Sequence, residues 1–183
     1  MSFEVPRDAA ATERELRRAI TDVPDFPKPG IIFKDITGLL LDPRLLHLAI
    51  EAMAAPFARD GITHVVGIES RGFILGAPVA LTLGAGFVPM RKPGKLPSAV
   101  ERAEYGLEYG VDALEVHRDA LRAGHRVLVV DDVLATGGTA RAACDLVARL
   151  GAGVAGCSFL IALSALGGEE RLGTIRRETV MRF

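Results

Sequence analysis

Residues 127–140, VLVVDDVLATGGTA, constrain this chain more than any other stretch. Val127 to Val130 make an apolar run long enough for a strand and too short for a helix. Its β-branched bias suits a parallel-sheet strand buried on both faces. Asp131 and Asp132 follow at its carboxyl end. Next come Ala135, Thr136, Gly137, Gly138 and Thr139, and then a helical run over 140–150 with Leu146, Val147 and Leu150 on one side. The order is strand, acidic pair, glycine loop, helix, and in an open α/β sheet ligands sit at the carboxyl ends of strands.

The residues of the loop define its chemistry. Gly137 and Gly138 let the backbone approach a ligand closely. The helix behind them aims free amides and the positive end of its dipole at the loop, so an anion, most simply a phosphate, belongs there. Thr136 and Thr139 add hydroxyl donors. A phosphate beside two carboxylates would be repelled, so Asp131 and Asp132 suit ribose hydroxyls, a bound Mg²⁺, or both. A sugar phosphate satisfies both halves, with its 5′-phosphate in the loop and its ribose diol over the acids. The chain carries no G-x-x-x-x-G-K-[ST], and no G-x-G-x-x-G after a strand.

At 183 residues, 49% hydrophobic and 25% charged, the chain reads as one globular domain over 1–183. A formal net charge of −1 argues against broad adhesion to nucleic acid or membrane, while leaving room for a local basic patch. No apolar run approaches the roughly 20 residues of a membrane span, and residues 1–18 lack the pattern of a signal peptide. Cys144 and Cys157, without metal or CxxC spacing, read as buried thiols of a reducing cytoplasm. Residues 9–20 form a charged amphipathic helix, and 23–30, with three prolines, an irregular segment. Asp42-Pro43 starts a helix running to about residue 58. Residues 63–68 and 87–90 are strands around a helix at 73–83. Residues 106–109 and 113–116 suit a hairpin, and 154–163 a strand. Strands alternating with helices predict an α/β fold, a mostly parallel twisted sheet flanked by helices.

Other stretches carry chemistry of their own. Residues 67–73, GIESRGF, repeat the order strand, polar turn, glycine, helix, and their amides with Ser70 suit a second anion. Arg91-Lys92-Pro93-Gly94-Lys95 sets three cations at a strand end. They are either a solvated loop or the counter-charge for a pyrophosphate, which arginine engages bidentately and lysine as a point charge. Residues 96–105 are polar and unpatterned, and a loop of that length in a compact domain is mobile or functional. In 25–35, DFPKPGIIFKD, the run Ile31-Ile32-Phe33 either packs in the core or binds a flat ligand. His47, His64, His117 and His125 lie outside every motif.

VLVVDDVLATGGTA resembles the phosphoribosyl pyrophosphate (PRPP) binding motif of the type I phosphoribosyltransferases, and LATGGT is most similar to the members that use adenine. DFPKPGIIFKD, ESRGF, RKPGKLP and LEYG are similar to further motifs of that family, in family order, over residues 26–163. The resemblance implies the type I fold, with a small hood largely from residues 1–35 and a flexible active-site loop over 93–108. It implies transfer of 5-phosphoribosyl from PRPP to adenine, giving AMP and pyrophosphate in purine salvage. It also implies Mg²⁺ carried mainly by the substrate and open to Asp131 and Asp132, no nucleic-acid partner, and a homodimer.

Carried over residue by residue, the resemblance gives Asp131 and Asp132 the ribose, and Ala135, Thr136, Gly137, Gly138 and Thr139 the 5′-phosphate. Glu69, Ser70, Arg91, Lys92 and Lys95 take pyrophosphate, with a non-proline cis peptide between Glu69 and Ser70. Ile32 and Phe33 flank the purine on one side and Leu163 on the other, and Arg71 reaches toward the base. Glu108 is either an acid/base or a positioning residue. Many relatives carry Asp where this chain has Glu69, and Glu where it has Ala162. Two rivals remain. One is an oxopurine phosphoribosyltransferase, which differs at the base pocket. The other is a transcriptional regulator keeping the fold as a PRPP sensor, which would need a DNA-binding segment or basic face.

Overall fold

The computed structural model describes residues 8–106 and 111–183. The chain divides into two compact units, Met1–Ala52 and Met53–Phe183.

The first unit begins with α1 (Ala9–Arg17), whose first turn is capped by the Asp8 carboxylate accepting from the Ala10 amide at 3.0 Å. An antiparallel hairpin follows, β1 (Thr21–Pro24) against β2 (Ile32–Asp35). The segment expected to be irregular therefore starts as a strand. Pro24 is tolerated there because a two-stranded ribbon has an unpaired edge on each side. The turn between the strands is closed by Asp25, at φ 57°, whose carboxylate accepts from the Gly30 amide at 2.7 Å, and the Phe26–Pro27 peptide is cis. After the short α2 (Thr37–Leu41), the Asp-Pro signal opens α3 (Pro43–Ala54). Asp42 accepts from the amides of Arg44 and Leu45 at 2.8 and 3.1 Å. The α-helix ends before residue 58 because Pro56 cannot donate to the ladder, and Ala55–Phe57 tightens into a 3₁₀ turn.

In chain order the second unit contains β3 (His64–Ile68), α4 (Arg71–Leu83), β4 (Gly86–Met90), β5 (Val100–Gly106), β6 (Val111–His117), β7 (Arg126–Leu134), α5 (Gly138–Arg149), β8 (Gly153–Ala162), α6 (Gly168–Arg171) and β9 (Arg177–Arg182). Five strands form one parallel sheet in the order β4-β3-β7-β8-β9. Val127 to Val130 are fully buried, as a central strand covered on both faces requires. From β3 the chain proceeds to β4 on one side, and from β7 to β8 on the other. The strand order reverses between β3 and β7, the place where open α/β sheets bind ligands.

Two strands of the second unit also differ from the sequence reading. The second half of the apparently unpatterned stretch 96–105 is β5, where buried Ala103 and Tyr105 alternate with exposed Arg102 and Glu104. It pairs with β6 as a separate ribbon against which α5 packs. The edge strand β9 has only Met181 fully buried, so its polar sequence gives no strand signal.

Gly156 sits beyond a register shift opposite Val127 and Leu128. A Cβ there would stand 2.8 Å from the Phe57 ring and 2.9 Å from the Arg176 carbonyl oxygen. Phe57 is fully buried and cannot swing away. Gly156→Ala is expected to destabilise the protein by roughly 1–3 kcal/mol through overpacking, read as a lowered denaturation midpoint; an unchanged midpoint would show that the sheet relaxes there freely.

Candidate active site

The site grows from the parting of two strands. Pairing of β3 with β7 ends at Gly67 and Val130, while β7 continues to Leu134 with β8 alone beside it. The acids expected at the strand's end therefore lie inside its last turn of pleat, facing the gap. The Asp132 amide donates to Asp131 Oδ1 at 2.9 Å. Asp132 is 4% exposed and its carboxylate accepts from Arg71 Nε. Burial, and after it the charge of Asp132, push the Asp131 carboxyl well above the usual carboxylate range. One guanidinium beside two adjacent acids leaves a site that favours hydroxyl donors or a cation.

Beyond β7 the chain turns through Ala135 and Thr136 to Gly137, whose φ of 76° caps α5 in the left-handed region. The amides of Gly138, Thr139 and Ala140 open α5 without intrahelical acceptors, an anion-binding arrangement. The loop is held from outside by backbone. A Cβ on Gly137 would stand 2.6 Å from the Gly168 carbonyl oxygen, and one on Gly168 would overlap the carbonyl oxygen of Ala135. Tyr105 and Gly106, at the end of β5, close over Gly138 at 3.4 and 3.3 Å from its Cβ position.

A second helix start faces the same gap. The peptide between Glu69 and Ser70 is cis, as expected, and Ser70 leads into α4 without a side-chain cap. Gly72 packs against β7 so closely that a Cβ would stand 2.9 Å from both Asp131 Oδ1 and the Val130 carbonyl oxygen. The cations after β4 converge here and are already partnered. Glu69, its side chain 9% exposed, accepts from Arg91 Nε at 3.1 Å and Lys95 Nζ at 2.5 Å. Burial would raise the Glu69 pKa, but Lys95, the Lys92 amide and Arg91 together hold it below the ordinary value of 4.5. Lys92 instead donates to Asp112 and to the Tyr105 hydroxyl. Buried Glu115 shapes the segment, accepting from the Gly94 amide at 2.9 Å while its backbone bridges Arg91.

The structure thus brings Glu69, Ser70, Arg71, Arg91, Lys92, Lys95, Asp131, Asp132 and residues 135–139 to the carboxyl ends of β3, β4 and β7. Leu163 follows β8 directly, its amide donating to the Leu134 carbonyl at 2.9 Å. In the first unit Ile32 is 55% exposed, and the Phe33 ring meets Phe26 edge-to-face at 5.3 Å. Glu108 lies outside the described residues. Sequence reasoning singled out Gly72 as the glycine of its turn but missed Gly168, Tyr105, Asp112 and Glu115. Of those four only Gly168 carried a signal, being a small residue near the glycine loop.

Glycine loop, acid pair and cationic rim suit an anionic sugar phosphate bearing a second anionic group. The family model for a phosphoribosyl transferase domain matches residues 40–173. The chain belongs to the phosphoribosyltransferase family. It is 60% identical over 171 residues to an adenine phosphoribosyltransferase of Myxococcus xanthus, covering 92% of each chain. Among solved phosphoribosyltransferases, the adenine enzyme of Rhodothermus marinus shares 55% identity at a TM-score of 0.91, over 95% of this chain and 99% of the other. That of Saccharomyces cerevisiae, complexed with an imino-altritol bisphosphate and adenine, shares 40% identity at a TM-score of 0.88, over 93% and 99%.

The lowered Glu69 pKa has a sign that can be measured. The folded protein binds this proton less readily than the unfolded chain does. The stabilisation is therefore complete above the ordinary value of 4.5 and is lost as pH falls through the lowered native value. Glu69→Gln is expected to be less stable at neutral pH and to lose less stability on acidification. Parallel denaturation curves for the two proteins across that range would refute the assignment.

Proposed function

We infer that this phosphoribosyltransferase acts on adenine, transferring the 5-phosphoribosyl group of PRPP to give AMP and pyrophosphate. The observation that carries the PRPP half is the facing of two helix starts across the β3–β7 parting, one behind a glycine loop and acid pair, the other beside three cations. Adenine as the base follows from the adenine-using relatives.

In this reading residues 135–139 hold the 5′-phosphate through the first amides of α5 and the hydroxyls of Thr136 and Thr139. Asp131 and Asp132 hold the ribose hydroxyls beside the ring where positive character develops at C1′. N9 of adenine bonds to C1′ as the bond from C1′ to the pyrophosphate oxygen breaks. Arg91, Lys92, Lys95 and the amides after the Glu69–Ser70 peptide receive the departing pyrophosphate, while Glu69 acts through Arg91 and Lys95. Ile32, Phe33, Arg71 and Leu163 are assigned to the base from the family resemblance of their motifs.

No group of three His, Cys, Asp or Glu side chains among the described residues could hold a metal by itself. Asp131 and Asp132 still fit Mg²⁺, because that ion is commonly held by one or two carboxylates together with substrate phosphates. When bound, it supplies charge neutralisation to the pyrophosphate.

The chain is read as a single phosphoribosyltransferase domain over 1–183, acting as a cytoplasmic homodimer. Supporting this are two unbridged buried thiols, Cys144 and Cys157, with sulfurs 3.5 Å apart, and the outward apolar residues Ile74 and Leu81 of α4. No helix among the described residues is long and apolar enough to cross a membrane.

Two assays test the reaction. Supplied with PRPP, Mg²⁺ and one purine at a time, the protein is expected to consume adenine fastest; faster use of hypoxanthine or guanine overturns the assignment. Adenine reacting through N9 sheds a ring proton from N7, and Glu108 is assigned to accept it. Glu108→Gln keeps the shape but not the basicity, so kcat is expected to fall on the order of 10²–10⁴-fold with PRPP affinity unchanged. If Gln keeps most of the rate and Ala does not, Glu108 positions rather than accepts.

A further inference from the structure

The three cations after β4 are not held alike. Arg91 and Lys95 share Glu69, whose side chain is 9% exposed and receives the Lys92 amide as well, so their carboxylate is nearly buried and shared among three donors. Lys92 is paired one to one with Asp112, and both side chains are part-exposed, at 33% and 28%. We propose that Asp112 is a positioning residue that sets the affinity for pyrophosphate by competing for Lys92 Nζ. This rests on the reading of Lys92 as a pyrophosphate-binding cation.

The geometry makes the exchange cheap. Lysine is a point charge with three donors, here directed to Asp112 and, at 2.7 Å, to the Tyr105 hydroxyl. If a phosphate oxygen takes Lys92, Asp112 is not stranded. Its Oδ1 keeps the Ala113 amide at 2.8 Å, and the Tyr105 hydroxyl, 3.2 Å away, donates to Oδ2. Tyr105 and Asp112 are directly opposite on β5 and β6, so this acceptor stays fixed beside the lysine whichever partner holds it. Burial would lower the Lys92 pKa, but the bonds to Asp112 and Tyr105 hold it above the ordinary value of 10.5 while the pair is intact. Tyr105 also lies against Gly138, but the competition concerns only the lysine, so ligands bearing a 5′-phosphate alone are unaffected.

The test is calorimetry of pyrophosphate, PRPP and AMP on the full-length wild type, Asp112→Asn, Lys92→Met and the double variant. Asp112→Asn is expected to tighten pyrophosphate and PRPP roughly two- to fivefold, the scale of a part-exposed ion pair, with AMP unchanged. Lys92→Met is expected to weaken both ligands, and the double variant to match Lys92→Met. Asp112→Ser removes the carboxylate while keeping an acceptor, and repeats the gain if the Asn variant folds poorly. Pyrophosphate affinity that is unchanged or weakened in both Asp112 variants overturns the proposal. Lys92→Met with unaltered pyrophosphate binding instead overturns the underlying assignment of Lys92.

Discussion

The parallel pairing of β3 with β7 is the contact on which the rest of the site depends. It is a full ladder from His64 to Gly67 and then stops, because β3 turns into α4 while β7 runs on beside β8. The free side of β7 has backbone donors that no strand satisfies. The Asp132 amide turns to the carboxylate of Asp131 instead, which fixes that acid at the mouth of the gap. The parting also explains the glycines around it. α4 must start within contact distance of Asp131, and Gly72 admits it where any Cβ would strike the carboxylate. Gly67 stands between the Phe87 ring and the Gly72 carbonyl for the same reason. A side chain at either position would push α4 away from the acids.

The charges around the gap form three pairings that differ in depth. Arg71 with Asp132 and the two cations on Glu69 each involve a nearly buried carboxylate, and breaking such a pair strands a charge in low dielectric. These pairings hold geometry. In the pairing of Lys92 with Asp112 it is the carboxylate that is shallower, where solvent screens it. In the proposed reading, substrate phosphates would exchange partners with cations already placed, so long side chains would need little further ordering on binding.

Much of this was legible in the sequence, for a physical reason. The central strand, the acids, the glycine loop and the Asp-Pro helix start are encoded within a few consecutive residues, and each forms by local rules. Asp112, Tyr105 and Glu115 have no local signature. Their roles come from the β5–β6 ribbon, which lays them beside a lysine and a turn 13 to 21 positions earlier in the chain. The ribbon was hard to see because its inward face alternates Ala103 and Tyr105 with charged residues, a weak period-two signal in a polar stretch. β1 was masked by its neighbouring prolines, and β9 by edge exposure.

Net charge was the least informative number for the same chain. A formal charge of −1 says nothing against binding a highly charged sugar phosphate, because fields beyond about 8 Å are screened at physiological salt. What a ligand meets is local, and part of it is invisible to a count of side chains. Each helix start contributes an effective positive end of about half a charge, without any ionisable residue. α4 and α5 both point theirs at the gap between β3 and β7, so the parting of two strands builds an anion site before any lysine is added. The acids at the same gap then discriminate. They repel a bare phosphate and accept one that arrives joined to hydroxyls, so a ribose phosphate suits the site better than phosphate alone.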